Sequence, residues 1–147
     1  MPIFLESRTF SHLLEMFVAH AASVQRYRYM SQSAEIEGRD SVASAFRKLA
    51  ELDTVDAAGH LDLVRRADVS DPRVPARTAQ NLSNAIDTEL QLGSQSYPRL
   101  ARIALEEGYP DIADWFTNVA KSKRWRSEFL AHTRPTAESS DEEGPGV

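Results

Sequence analysis

Apolar residues return every three or four positions along most of the chain, the spacing that lays one stripe down the side of a helix. Phe10, Leu13, Leu14, Phe17, Val18, Ala21 and Val24 form the first stripe, with Ser7 and Thr9 before it as N-cap residues. This helix is predicted to run to about Glu37, where Gly38 can take the left-handed conformation that closes helices. Asp40 is expected to cap a second helix carrying Val42, Ala45, Phe46, Leu49, Leu52, Val55, Ala58 and Leu61. So short a turn makes the two long helices antiparallel neighbours. The stretch Asp68 to Pro75 holds two prolines among turn formers and reads as a loop. A third helix is predicted from near Ala76 to Gly108 on Leu82, Ala85, Ile86, Leu90, Leu100, Ile103 and Ala104. Pro98 lies inside it and should bend it by removing a backbone hydrogen bond. Pro110 then opens a fourth helix with Ile112, Ala113, Trp115, Phe116, Val119, Ala120 and Phe129.

The halves echo each other. At an offset of 70, Tyr27 matches Tyr97, Ala34 matches Ala104, Gly38 matches Gly108, Phe46 matches Phe116 and Ala50 matches Ala120. The pattern predicts an all-α fold of two antiparallel helix hairpins related by internal duplication and packed as a four-helix bundle over residues 1–132. Residues 133–147 turn polar and acidic (Ser139, Ser140, Asp141, Glu142, Glu143), and are expected to form a flexible tail too poor in apolar surface to order itself.

Composition narrows the chemistry. A length of 147 residues with 41% hydrophobic and 27% charged fits one globular domain. The net charge of −5 argues against a nucleic-acid binder, which needs a basic stripe for phosphates. Without cysteine there can be no disulfide, zinc ribbon, iron–sulfur cluster or thiol catalysis. No apolar run approaches the roughly 20 residues of a membrane helix, and Glu6 and Arg8 interrupt any leader-like start, so a cytoplasmic protein is expected. Phosphate-cradling glycine loops and nucleophile elbows are also missing from the sequence.

Several landmarks point to a family. Ser7–Arg8–Thr9, Arg26–Tyr27 with Tyr29, Tyr97–Pro98, Ala101–Arg102–Ile103–Ala104, Glu106–Glu107–Gly108–Tyr109, Ile112–Ala113, Phe116 and Ala120 resemble the rubrerythrin branch of the ferritin-like superfamily. The resemblance covers about residues 7–132. It implies a ferritin-like four-helix bundle with a di-iron centre that reduces peroxide, fed with electrons through a cysteine-ligated rubredoxin domain. Ferritin-like sites draw one Glu from each of two helices and a Glu-x-x-His from each of the other two. Residues three apart share a helix face, so both can reach one metal. At the positions the resemblance implies, this chain has His20, then Asp53 and Asp56, then Glu89 and Leu92, then Lys123 and Arg126. Glu89 keeps the family's residue type and Asp53 is one methylene shorter. With no cysteine, the rubredoxin domain is expected to be missing.

Charge shapes the resulting expectation. A cation about 4 Å from a metal site costs on the order of 4 kcal/mol per charge pair at an effective dielectric of 20, and Lys123 and Arg126 bring two. Facing Asp53, Asp56 and Glu89, they would instead form a buried ion-pair network. The leading expectation is therefore a pseudo-enzyme without a cofactor, a binding, scaffold, regulatory or accessory protein, homodimeric as its relatives are and open to a further protein partner. The alternative is a non-haem iron or manganese oxidoreductase, or metal-binding protein, with a reduced site on His20, Asp53, Asp56 and Glu89. Outside that alternative, His20 reads as a core histidine hydrogen-bonded to one of those acids. His60, one turn beyond Asp56, could extend a ligand ladder or lie partly exposed. Tyr27 and Tyr97 match residues that line the family's site, or are core tyrosines whose hydroxyls need partners. His12 and His132 are expected at the surface, and Trp115 and Trp125 in the core or an interface.

Overall fold

A computed structural model describes residues 3–134. Its regular elements are helices: α1 (Arg8–Ile36), α2 (Asp40–Val64), α3 (Thr78–Gln91), α4 (Tyr97–Glu106) and α5 (Pro110–Ala131), with short 3-10 turns at Phe4–Glu6 and Arg65–Ala67. No strand occurs among the described residues, in keeping with the all-α expectation. No helix among them is long and apolar enough to cross a membrane. Of the expected tail, Thr133 and Arg134 follow α5 in a turn, and the remainder lies outside the described residues. The chain divides into two compact units, Met1–Ala76 and Arg77–Val147. In the first, α1 packs along α2; in the second, α5 packs along α3 and α4.

Each hairpin turns on a glycine. Gly38 (φ +71°) and Gly108 (φ +87°) sit in the left-handed region, where any side chain would be strained. The next residue then reaches back to cap the finished helix, Arg39 N–H to the Ala34 carbonyl and Tyr109 N–H to the Ala104 carbonyl, both at 2.8 Å. The hydroxyl of Ser7 accepts the Phe10 N–H at 3.2 Å and starts α1, as expected. Asp40 is the first residue of α2 and makes no cap bond; its charge instead complements the positive end of the helix dipole.

The seam within each hairpin is built from small residues. Ala43, Ala50, Ala57 and Val64 are buried at seven-residue intervals on α2. Ala113, Ala120 and Ser127 repeat that spacing on α5, at the positions matched by the offset of 70. Ser127 satisfies its buried hydroxyl by donating to the Ile86 carbonyl at 2.9 Å. The large residues of the predicted α2 stripe do not line this seam: Val42, Leu49, Leu52 and Val55 are exposed. The apolar stripe is wider than the contact between two helices can cover, and the smallest residues mark the closest approach. Trp115 and Trp125 are exposed too, rather than in the core; Trp125 stacks on Phe129 with ring centres 5.3 Å apart.

Where the third helix was expected to bend, α3 and α4 are joined by a π-helical turn at Leu92–Ser96. There the Tyr97 N–H bonds to the Leu92 carbonyl, five residues back. Pro98 has no N–H at all. The Gly93 carbonyl is thus left without either downstream donor, and Arg124 of α5 supplies one, its guanidinium donating at 2.6 Å.

Candidate metal centre

The turn at Gly38 sets the register that brings His20 of α1 opposite Asp53 and Asp56 of α2. One ligand-capable atom from each of the three lies within 4.8 Å of the other two. His20 Nδ1 stands 3.2 Å from Asp53 Oδ1, with the two side chains 23% and 22% exposed. That separation suits an imidazole N–H donating to the carboxylate. It also suits two neighbouring ligands on one ion, since bonds of about 2.1 Å place adjacent donors roughly 3 Å apart. Asp56 is exposed. The next turn adds His60, whose Nδ1 lies 2.6 Å from the Asp56 carbonyl oxygen and whose ring centre is 5.1 Å from that of His20. This contact between the histidines is one that sequence reasoning missed, although the spacing from Asp56 to His60 was visible.

In the second unit, Lys123 donates to Glu89 Oε1 at 3.0 Å, both side chains being mostly buried (16% and 20% exposed). Glu89 Oε2 is buried and has no hydrogen-bond partner among the described residues. Leu92 opens the π-helical turn and offers no donor atom. Arg126 is exposed. Of the residues expected in an ion-pair network, His20 is paired with Asp53 within the first unit and Lys123 with Glu89 within the second. Arg126 carries its own solvation and does not take part in the Lys123–Glu89 pair.

Tyr27 and Tyr97 pack in matching ways within their own hairpins. Tyr27 stacks on Phe46 at 6.0 Å, and Tyr97 meets Phe116 at 5.8 Å. His132 is exposed and bonds back to the Glu128 carbonyl, and His12 is exposed, as expected of both.

The rubrerythrin family model matches residues 17–124. A rubrerythrin of Porphyromonas gingivalis is 30% identical over 123 residues, 78% of this chain and 60% of that protein. One from Clostridium perfringens is 27% identical over 126 residues, covering 80% and 65%. One from Nitratidesulfovibrio vulgaris is 28% identical over 137 residues, covering 87% and 70%. The chain spans less than two thirds of the length of the first two.

These matches correct the expectation of a protein without a cofactor. The kinship points to a di-iron cofactor, and the metal-free scaffold reading gains no support from it. Whether the residues fit is a separate matter of donor chemistry. In the first unit they suit one divalent cation: an imidazole and two carboxylates already converge, and among the described residues no lysine or arginine is paired with them. The second unit does not fit a further iron, because Lys123 neutralises Glu89, Leu92 cannot coordinate and Arg126 adds a positive charge. Glu89 Oε2 stays chemically open to a cation or a water among the described residues.

Proposed function

This chain belongs to the rubrerythrin family, and from that premise we propose that it is a ferritin-like metal-binding protein holding one divalent iron or manganese on His20, Asp53 and Asp56. The observation that carries this is the convergence of three ligand atoms within 4.8 Å on two helices locked by one turn. Two carboxylates offset the ion's charge, and the imidazole adds a softer donor, a set that suits iron or manganese. A redox-active ion bound there would exchange electrons with an oxidant such as peroxide, the activity of a non-haem metal oxidoreductase.

The chain's own residues prepare the site. Asp53 holds the His20 ring in place, so the ligand pair is positioned before an ion arrives. Partial exposure of Asp53 and His20, and exposure of Asp56, leave a path for a hydrated ion to enter. We further propose a homodimer in the cytoplasm; sedimentation at micromolar concentration would distinguish dimer from monomer.

The test is metal content together with thermal stability. Protein loaded with Fe(II) under anaerobic conditions, or with Mn(II), should hold about one ion per chain. Because the ion binds only the folded form, a concentration of 100 times Kd should add about 2.7 kcal/mol of stability. Asp53→Asn should lose most of that gain. A melting curve indifferent to both ions, with metal content near zero, would remove this reading.

A further inference from the structure

We infer that His60 is a fourth ligand at this site, so that one cation is held by two imidazoles and two carboxylates; this rests on the metal-binding reading above. Asp53, Asp56 and His60 follow one another on α2 at intervals of three and four residues, so they share a helix face. The His60 ring centre lies 5.1 Å from that of His20, with the rings tilted by 53°. With metal–nitrogen bonds of about 2.0–2.1 Å, two imidazoles on one ion have their ring centres roughly 5 Å apart. The two rings already stand at that separation.

The second observation fixes the proton. His60 Nδ1 lies 2.6 Å from the Asp56 carbonyl oxygen. A carbonyl can only accept, so Nδ1 carries the hydrogen and Nε2 keeps its lone pair. Ligating histidines commonly donate their other ring N–H to a backbone carbonyl or carboxylate, which sets both tautomer and orientation. Asp56 thus acts twice, its carboxylate toward the ion and its carbonyl toward the histidine that joins it. His60 stands outside the three-residue group whose atoms converge within 4.8 Å. Its ring is partly exposed and free to close the remaining gap when an ion is present.

A second imidazole shifts metal preference. Oxygen ligands favour manganese, whereas imidazole favours iron, cobalt and zinc. His60 should therefore matter more for Co(II) than for Mn(II). The experiment titrates the full chain with Co(II), read by visible absorption and calorimetry, and with Mn(II) by calorimetry. Wild type is compared with His60→Gln and, as a control on α1, His12→Gln. The expected result is one Co(II) per chain in wild type and His12→Gln. In His60→Gln the Co(II) affinity should fall about ten-fold or more, with shifted ligand-field bands and a smaller loss for Mn(II). A second readout needs no variant: Zn(II) added to 15N-labelled wild type should move the Nδ1 resonance of His20 and the Nε2 resonance of His60. Unchanged Co(II) affinity and spectrum in His60→Gln, or a His60 resonance that ignores Zn(II), would overturn the role of His60 and leave the three-residue site standing. Wild type that binds neither Co(II) nor Mn(II) would overturn that site and this inference together.

Discussion

Replacing Gly93 with alanine should destabilise the protein, although alanine is the better helix former by about 0.5–1 kcal/mol. A Cβ at Gly93 would fall 2.8 Å from each of three atoms: the Ala120 carbonyl oxygen, the Arg124 backbone nitrogen and Arg124 Cγ. Two of these belong to the α5 backbone, so no change of side-chain rotamer relieves them. Either α5 moves outward or the π-helical turn shifts. Both movements disturb the bond from Arg124 to the Gly93 carbonyl. Overpacking of this kind costs about 1–3 kcal/mol, and losing a hydrogen bond to a charged donor about 1.5–3 kcal/mol more if it breaks outright. Set against the propensity gain, the net loss should be about 1–3 kcal/mol. The internal comparison is Gly59→Ala in α2, where nothing lies within 4 Å of the added Cβ. That variant should gain about 0.5–1 kcal/mol, so the two substitutions should differ in sign. Urea unfolding followed by far-UV circular dichroism measures both midpoints. A Gly93→Ala protein as stable as Gly59→Ala would refute the close approach of α5 to the π-helical turn.

Other predictions follow from the charged pairs. Lys123→Met should cost about 1–3 kcal/mol by stranding the mostly buried Glu89, and the double variant Lys123→Met/Glu89→Leu should recover most of it; a single variant with an unchanged urea midpoint would contradict this. The Arg73 guanidinium, with its backbone N–H, bonds Asp71 and holds that carboxyl below the ordinary carboxylate range. A carboxyl lowered on folding contributes stability that is present above its unfolded pKa, near 4, and is lost as pH falls through the folded value. Asp71→Asn should therefore be less stable than wild type at neutral pH and approach it as pH falls through the lowered folded value; a gap that stays constant with pH would count against the pairing.

The features legible in the sequence were those with only one chemical solution. A left-handed helix end calls for glycine, and Gly38 and Gly108 fall where they were expected. The seams were harder to see. Hydrophobic periodicity gives weight to large residues, whereas the contact within each hairpin rests on Ala43, Ala50 and Ala57, and on Ala113, Ala120 and Ser127. Their signal was the seven-residue spacing of small side chains. The π-helical turn was hidden as well, because Pro98 announces a disturbance without saying how the freed carbonyl is satisfied. The meeting of His20 with the α2 acids was implicit in the turn. His20 stands as many residues before Gly38 as Asp56 stands after it, and an antiparallel hairpin brings such positions level.

The offset of 70 turns the two hairpins into a comparison within one chain. At the offset of 70, Asp53 corresponds to Lys123 and Asp56 to Arg126. The glycine turns, the reach-back caps and the small-residue seams all recur at that offset, so the backbone presents corresponding positions in both units in the same way. Side-chain chemistry alone then separates them. In the first unit, two acids and an imidazole gather donors with no lysine or arginine paired to them among the described residues, the arrangement proposed above to take a cation. In the second, the matched positions carry bases, and the nearby Glu89 is paired with Lys123. Placing carboxylates at Lys123 and Arg126 without altering Glu89 would set like charges together and call for a cation in return.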